Sequence, residues 1–196
     1  HNNLKIYEEH FKSNYSYIIE QFYSSLLSLT QCPLCNHTTD NHEPLSILTL
    51  TLKNGYESLY DCIDEYVKKI SLDDDNKLKC EKCNNYVNSS KKLVFWDIGS
   101  VLIILLKKYN ENGIISNYIN YPIELDMNDY CINYKEKSTK YQLSGLIIHN
   151  GGLNSGHYYS ICKNTLENKW KVFDDTNVFN IDQNKIFNNH PYCLFY

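Results

Sequence analysis

The sequence has no arginine and no alanine among its 196 residues, whereas asparagine, lysine, isoleucine and tyrosine recur throughout. This bias is typical of an AT-rich genome and carries little chemical information. The formal net charge is −4, and no basic stripe alternates with aromatic residues. Because a protein that binds nucleic acid needs such a positive surface, nucleic acid is not the expected partner.

Long hydrophobic runs are also missing. No apolar stretch approaches the roughly 20 residues that a membrane-spanning helix needs, and no charged start followed by an apolar stretch marks a signal peptide. We therefore expect a soluble, intracellular protein, in the cytoplasm, the nucleus or both, without a membrane partner. The sequence opens at His1 rather than at a methionine, so we expect a segment upstream of it. The sequence does not indicate an oligomeric state.

The length and the 42% hydrophobic content suit one well-packed domain, which we take as residues 1–196. Apolar residues at helical spacing predict helices over 17–27 and 59–70. Leucines that alternate with serine and threonine predict a strand over 45–52. Strand patterns dominate the second half, which predicts a mainly antiparallel sheet. They cover residues 93–98, 101–106, 142–148, 157–163, 169–173 and 192–196.

Eight cysteines in an intracellular chain favour metal ligation over disulfides. Two Cys-x-x-Cys pairs, Cys32 with Cys35 and Cys80 with Cys83, each place two thiols on one tight turn. Four thiolates make a closed tetrahedral zinc site without a position for water, so the pairs predict a structural Zn²⁺. The alternative is a set of four unliganded or redox-active thiols.

The other four cysteines are Cys62, Cys131, Cys162 and Cys193. As ordinary small apolar residues they need no further explanation. A nucleophilic thiol normally opens a helix, where the helix dipole stabilises the thiolate. None of the four is predicted at such a position, so no nucleophile is recognised in the chain.

A histidine and an aspartate stand at the ends of two predicted strands. His157 opens a strand after a glycine-rich loop, and Asp174 follows the next strand. A hairpin that turns within 164–168 places the two residues directly opposite each other, with Cβ atoms about 5 Å apart. The carboxylate can then orient the imidazole and stabilise the imidazolium that forms when the ring deprotonates a thiol. The alternative is a strand histidine hydrogen-bonded within the sheet.

Two further residues are candidates at this place. A pairing shifted by one residue favours Asp175 over Asp174, so both aspartates are candidate catalytic residues. His149 lies where the preceding strand meets the loop and is a candidate substrate contact. The alternative for His149 is a solvated loop histidine.

In this order the motifs resemble the ubiquitin-specific proteases, the papain-like deubiquitinases with thumb, palm and fingers regions. The resemblance spans nearly the whole chain, and the paired Cys-x-x-Cys knuckles and the histidine box are its most specific parts. The matching segments are Phe22 to Cys35 and Cys80 to Cys83 for the fingers, Ser100 to Tyr109 for the family's LKRF strand, Tyr121 to Asp126, Gly156-His157-Tyr158 for the histidine box, Trp170 to Asp175 for the acidic box, and Tyr192 to Tyr196 for the closing strand.

The resemblance implies an α+β fold of the papain-like cysteine protease class, mainly antiparallel sheet with a zinc-ribbon-like fingers tip. Residues 32–83 would lie in the zinc-binding fingers and 93–196 mainly in the palm. It also implies a thiol-dependent deubiquitinase that hydrolyses the isopeptide or peptide bond after the C-terminal glycine of ubiquitin. Ubiquitin and ubiquitinated proteins are then the partners. Gly156 leaves room for the thin diglycine tail beside His157, and Tyr158 is expected to line the same channel.

Two segments of the family pattern have no match in this sequence: the cysteine box and the glutamine-rich segment of the thumb. The resemblance therefore implies that an upstream segment supplies the thiol nucleophile and that this chain alone is inactive. The alternative is a non-catalytic ubiquitin-binding module, either an inactive relative or a processed fragment. A zinc-ribbon nucleic-acid binder would explain the cysteine pairs but not the acidic charge or the histidine and acidic boxes.

Overall fold

A computed structural model describes residues 10–110, 113–115, 117–132, 138–152 and 155–196. None of the helices in these ranges combines the length and the apolar character that crossing a membrane requires. The described residues group into two compact units. The first unit is drawn from His1–Ser46, Asp64–Ser100 and Met127–Thr139, and the second from Ile47–Ile63, Val101–Asp126 and Lys140–Tyr196. The finer division into fingers (32–83) and palm (93–196) stays a prediction.

Short helices account for little of the described chain. The α-helices are α1 (Tyr17–Phe22), α2 (Leu59–Val67) and α3 (Gln183–Ile186), and the 3₁₀ turns are Lys12–Asn14, Asp74–Asn76 and Asn128–Tyr130. Helix α2 begins with a capping box, in which the Asp61 amide donates to Ser58 Oγ and the Ser58 amide donates to Asp61 Oδ2. It ends at Val67, and Ile70 lies in a strand instead of extending the helix as predicted.

The first unit is built on a four-stranded sheet, with strand order β2-β1-β7-β4 among the described residues, and a separate small β5–β6 hairpin. The strands are β1 (Ser24–Gln31), β2 (Thr38–Leu45), β4 (Ile70–Ser71), β5 (Leu78–Lys79), β6 (Tyr86–Val87) and β7 (Ser90–Asp97).

Strand β1 corrects the predicted helix over 17–27. Helix α1 ends at Phe22, because Tyr23 adopts an extended backbone. Leu26 and Leu27, which also fit the helical spacing, lie in β1, where Leu26 pairs with Phe95. A short apolar run fits the periodicity of a helix and that of a strand. Pairing with β2 on one side and β7 on the other stabilises the strand here.

The second unit holds a seven-stranded sheet with strand order β16-β15-β14-β13-β17-β8-β3. All its neighbouring pairs are antiparallel except β3 with β8. The strands of this unit are β3 (Leu48–Thr51), β8 (Ile103–Lys107), β9 (Tyr109–Asn110), β10 (Gly113–Ile114), β11 (Glu124–Asp126), β12 (Lys140–Gln142), β13 (Gly145–Gly151), β14 (Gly156–Asn164), β15 (Lys169–Asp174), β16 (Asn177–Ile181) and β17 (Pro191–Phe195). The strand predicted over 45–52 is confirmed as β3 but is shorter, since β2 ends at Leu45 and β3 begins at Leu48.

One face of the seven-stranded sheet carries a buried apolar row. Leu194, Leu146, Ile161 and Val172 lie opposite one another across four neighbouring strands, and each is at most 5% exposed. Side chains alternate along a strand, so His157, four residues before Ile161 on β14, lies on the same face. The buried row thus fixes which side of the sheet presents the histidine.

Candidate active site and metal site

The hairpin between β14 and β15 sets the relation of His157 to the aspartates, and its register corrects the predicted one. Ile161 pairs with Val172, whereas the predicted register, with His157 directly opposite Asp174, would pair it with Trp170. The hairpin turn occupies four residues, because Asn164 Oδ1 accepts hydrogen bonds from the amides of Leu166 and Glu167. The pairing is therefore displaced by two residues.

A two-residue displacement preserves the face of every side chain. Asp174 lies diagonal to His157 instead of directly opposite it, on the same face of the sheet. Diagonal neighbours are about 7–8 Å apart, and their Cβ atoms are somewhat closer, a separation that an imidazole and a carboxylate together can span. The structure does join them by a hydrogen bond between His157 Nε2 and Asp174 Oδ1.

The electrostatics of the pair favour a charged imidazole. The hydrogen bond to Asp174 raises the pKa of His157; burial opposes this, and the charges of Asp174 and Asp175 add to the increase. Among the described residues, no hydrogen bond reaches Nδ1 of His157. That nitrogen is the one left to exchange a proton with a substrate or a nucleophile.

Asp175 also approaches the histidine. A ring nitrogen of His157 and one carboxylate oxygen each from Asp174 and Asp175 all lie within 4.8 Å of one another. Asp175 begins the two-residue turn into β16 and has a φ of 50°, a left-handed conformation that aspartate tolerates better than most residues. Both candidate aspartates are therefore brought to the histidine, but only Asp174 hydrogen-bonds to it among the contacts described.

His149 lies within β13, directly opposite Tyr158, and is half-buried. This corrects the alternative of a solvated loop histidine. The His149 and Tyr158 rings stack with their centroids 4.3 Å apart, and Tyr192 meets both rings edge-on. Tyr158 stays 53% exposed, so the cluster presents an aromatic surface. Tyr192 was recognised from the sequence only as part of the closing strand, since no pattern links it to the histidine box.

Two glycines face each other where β13 meets β14. A Cβ atom on Gly156 would lie 2.1 Å from His149 Nε2, so the ring occupies the space of any side chain there. Gly151 has a φ of 148°, and a Cβ on it would lie 2.4 Å from the Gly156 Cα. These close approaches require glycine at both positions.

Within the described residues, no cysteine belongs to the group formed by His157, Asp174 and Asp175. Cys162 is on the same strand as His157 but five residues further, about 16 Å along and on the opposite face. Cys193 is buried, and burial raises its pKa to about 11. Burial likewise raises the pKa of Cys62, in α2, to about 11. A raised pKa makes the thiols of Cys62 and Cys193 poor nucleophiles where they lie.

The four cysteines of the Cys-x-x-Cys pairs come together in the first unit, as predicted. Both pairs form the same turn. The amide of Cys32 donates to the carbonyl of His37, and that of Cys80 donates to the carbonyl of Asn85. An asparagine follows each pair with a positive φ, 55° at Asn36 and 57° at Asn84. The repeated local conformation presents all four sulfur atoms to one point.

The spacing of the sulfur atoms fits a metal ion. Cys32 Sγ and Cys83 Sγ are 3.9 Å apart, and Cys35 Sγ and Cys80 Sγ are 3.6 Å apart. Four thiolates at about 2.3 Å from a zinc ion are separated from one another by about 3.8 Å. The residues present can therefore hold a tetrahedral zinc ion.

The four thiols affect one another's ionisation. The backbone amides of Cys83 and Lys82 donate to Cys80 and lower its pKa. At Cys35, a hydrogen bond from the His37 amide acts in the same direction, but burial and the three neighbouring thiols outweigh it and raise the pKa. Four adjacent thiols cannot all ionise without a cation between them, which a divalent metal supplies.

Comparisons with known proteins cover the whole chain. Residues 1–196 match the family model described as ubiquitin carboxyl-terminal hydrolase. A probable ubiquitin carboxyl-terminal hydrolase of Acanthamoeba polyphaga mimivirus is 37% identical over 96% of this chain and 43% of its own length. Ubiquitin carboxyl-terminal hydrolase 8 of Saccharomyces cerevisiae is 32% identical over 89% of this chain and 40% of its own length. The chain thus spans less than half the length of these relatives.

Solved structures give the same result for the fold. A SAGA DUB module of Ubp8, Sgf11, Sus1 and Sgf73 bound to ubiquitin aldehyde matches with a TM-score of 0.81 and 28% identity, over 100% of this chain and 47% of that chain. Another module with Ubp8, Sgf11, Sus1 and Sgf73 matches with a TM-score of 0.84 and 29% identity, over 98% of this chain and 44% of that chain.

Proposed function

Because this chain belongs to the ubiquitin carboxyl-terminal hydrolase family, we propose that it supplies the imidazole and carboxylate of a thiol-dependent deubiquitinase. The family resemblance read from the sequence is confirmed, and so is the α+β, papain-like fold class with its mainly antiparallel sheet and cysteine-rich tip. The observation that carries the proposal is the hydrogen bond from His157 to Asp174 beside a glycine-lined hairpin.

The proposed reaction is hydrolysis of the isopeptide or peptide bond after the C-terminal glycine of ubiquitin. Asp174 holds Nε2 of His157, so Nδ1 takes the proton of a thiol supplied by a segment outside this sequence. The thiolate attacks the glycine carbonyl, and the tetrahedral adduct collapses to an acyl-enzyme as its C–N bond breaks and His157 protonates the departing amine. The neutral imidazole then takes a proton from the water that releases the acyl group and regenerates the thiol.

The aromatic and glycine residues beside His157 form the proposed channel for the diglycine tail. Gly156 carries no side chain, and His149 packs directly over it. Tyr158 is exposed and stacks on His149, so it offers a flat wall to a thin extended peptide. Ubiquitin or a ubiquitinated protein is the proposed partner. The proposed location of the activity is the cytoplasm, the nucleus or both.

We also propose that Cys32, Cys35, Cys80 and Cys83 hold a structural zinc ion. When bound, zinc neutralises the thiolates and ties the two knuckles together. A closed set of four protein ligands leaves no coordination position for water, so the ion has no catalytic role in this proposal.

Loss of one ligand should remove the metal. We expect the purified wild-type protein to contain about one zinc per chain, and Cys32→Ser and Cys80→Ser to contain almost none. Structural zinc sites contribute about 10–16 kcal/mol in zinc-finger peptides, more than the typical stability of a domain, so both variants should also unfold at lower temperature. Elemental mass spectrometry and thermal unfolding measure the two effects. Cys162→Ser is the matched control, and a folded wild-type protein without metal would contradict the proposal.

The 196-residue chain by itself should be inactive. No described thiol is poised at His157, so we expect no labelling by a ubiquitin with a C-terminal thiol-reactive group, whereas the complete protein should be labelled. Gel shift and intact mass spectrometry detect the adduct. Labelling of the chain that disappears when Cys62, Cys131, Cys162 or Cys193 is replaced would identify a nucleophile within it. If the complete protein binds ubiquitin but is not labelled, the alternative of a non-catalytic ubiquitin-binding module is correct.

A further inference from the structure

Strand β16 forms an open edge of the seven-stranded sheet. A two-residue turn joins it to β15, so the residues that flank the turn, Asp174 and Asn177, exchange backbone hydrogen bonds, and this exchange recurs at every second residue. The N–H and C=O groups of the intervening residues, Val178 and Asn180, therefore point away from the sheet. Within the described part of the chain, no strand or bridge pairs with this outer side of β16.

Strand β16 has none of the usual features that protect a sheet edge against pairing. Natural edge strands are commonly protected by charged side chains, by proline or by a bulge. The five residues of β16 include no charged residue and no proline, and their register with β15 is continuous. Val178 and Phe179 are both more than half exposed. A regular, uncharged and apolar edge of this kind can accept a further strand from an extended peptide.

The exposed phenylalanine of β16 continues the buried apolar row of the sheet. Phe179 lies directly opposite Val172, the outermost member of that row, on the face that also presents His157. Val172 is 5% exposed and Phe179 is 53% exposed, so the row reaches the edge of the sheet and ends there uncovered. An added antiparallel strand places one side chain directly opposite Phe179, and an apolar side chain at that position extends the row.

A cleft of about 580 Å³ lies beside the C-terminal half of β16. Its lining includes Phe179, Lys169 and Lys185. Lys185 has an ion-pair partner in Asp182, at 3.6 Å, whereas Lys169 forms no ion pair with any described residue. The cleft therefore has an excess of positive charge and favours an acidic side chain.

The proposed channel for the ubiquitin tail determines which part of a substrate meets this edge. The channel residues His149, Gly156 and Tyr158 lie on β13 and β14. In the strand order, β15 and β16 lie on the other side of β14. A tail that reaches His157 over β13 therefore directs the other side of the scissile bond, which is the modified lysine and its protein, towards β15 and β16.

We propose that the outer edge of β16 binds an extended segment of the ubiquitinated protein as an additional antiparallel strand. The inference rests on the proposed function and names its substrate class: proteins in which such a segment precedes the modified lysine. An antiparallel strand on β16 begins beside the cleft and ends opposite Asn177, which pairs with Asp174 of the catalytic pair. The lysine is therefore expected on the C-terminal side of the docked segment.

The docked segment has a defined chemistry. Its backbone exchanges hydrogen bonds with Val178 and Asn180. Between these two positions, an apolar side chain of the segment packs on Phe179. An acidic residue at the N-terminal end of the segment reaches Lys169 in the cleft. The preferred substrate therefore carries an acidic residue, then a short apolar stretch of extended backbone, and then the modified lysine.

The test compares isopeptide substrates of the complete protein. One is ubiquitin joined to the lysine of a peptide in which a glutamate and alternating valine and threonine precede that lysine. Another is ubiquitin joined to acetyl-lysine amide, and a third has the same segment placed after the lysine. We expect kcat/KM for the first substrate to exceed that for each of the others about 10-fold, the effect of one to two net hydrogen bonds.

Proline at the edge should abolish this advantage. Asn180→Pro removes an outward N–H group, and proline is tolerated in an edge strand on its solvent side. The variant should therefore hydrolyse a fluorogenic ubiquitin C-terminal amide like the wild type, yet show equal kcat/KM for the isopeptide substrates. Asn180→Ala is the matched control, because it changes the same side chain and keeps the N–H group, so the advantage should remain.

A charge exchange tests the cleft without changing the backbone. Lys169→Glu should reduce the advantage of the glutamate-containing peptide, and lysine in place of that glutamate should restore it. This pair of measurements decides the question if Asn180→Pro does not fold.

The proposal would be overturned by equal kcat/KM for all isopeptide substrates of the wild-type protein, or by an advantage that persists in Asn180→Pro. Loss of fluorogenic amide hydrolysis in a folded Asn180→Pro would also overturn it, because another part of the complete protein would then occupy the edge. A wild-type protein that hydrolyses none of the substrates would instead refute the proposed function, and this inference with it.

Discussion

Replacing His157 by alanine should reduce the turnover of the complete protein to near background. In the proposed reaction the imidazole both takes the proton of the thiol and returns it to the leaving amine, so its removal blocks both halves of the reaction. The measurement is kcat/KM for a fluorogenic ubiquitin C-terminal amide. The His157 side chain is half exposed, so its loss should leave the sheet intact. Folding and zinc content of the variant are measured first to verify this.

A second histidine of the same unit gives the control. His190 packs on Tyr118 and is remote in sequence from the histidine box, so His190→Ala should retain most of the activity. Turnover that survives in His157→Ala but is lost in His190→Ala would show that the wrong histidine has been assigned. Equal retention in both variants would exclude general acid–base catalysis by either residue.

The cluster of four cysteines could be predicted from the sequence because its signal is local. Each Cys-x-x-Cys pair defines its own turn, and two such turns need only one ion to make a closed tetrahedral site. The asparagines at positions 36 and 84 reinforce that turn by adopting the left-handed conformation after the second cysteine. Neither asparagine was recognised beforehand, although asparagine is the residue after glycine that most readily takes this backbone.

Strand β1 was not predictable from its own residues. Ser24 to Gln31 contains leucines at positions 26, 27 and 29, and this spacing extends the helical pattern of the residues before it. The neighbouring strands decide that this segment is a strand and not a helix. It lies between β2 and β7, and its first five residues are buried. A central strand depends on partners that are distant in sequence, and single-sequence periodicity contains no information about them.

The pair formed by His157 and Asp174 shows how a wrong strand register can still predict the right hydrogen-bond partner. The sequence suggested a turn within 164–168 but not its length, and the pairing of Asn164 with Lys169 encloses four residues in the turn. The error was two residues, which preserves the face of each side chain, whereas an error of one would have turned Asp174 away from His157. The hydrogen bond from the Tyr159 hydroxyl to Asn189 Oδ1 could not be predicted from the sequence, because it depends on the conformation of the loop at Asn189.

Asparagine substitutions distinguish the roles of Asp174 and Asp175. Asp174→Asn should lower kcat/KM heavily, by up to ~10⁴-fold, because the amide no longer stabilises the imidazolium and can hold the ring in the wrong tautomer. Asp175→Asn should lower kcat/KM clearly less, since Asp175 contributes charge near His157 but the hydrogen-bond partner of Nε2 is Asp174.

The pKa of His157 provides a second readout of the same pair. The Asp174 hydrogen bond raises this pKa in the wild-type protein, so Asp174→Asn should lower it and reduce the fraction of imidazolium at neutral pH. Asp175→Asn should lower it less, because only a charge at longer range is removed. A titration of the His157 ring protons by NMR measures both shifts. If Asp175→Asn causes the larger loss of kcat/KM and the larger fall in the His157 pKa, Asp175 is the residue that supports the imidazole, and the acidic partner must be reassigned while the family assignment stands.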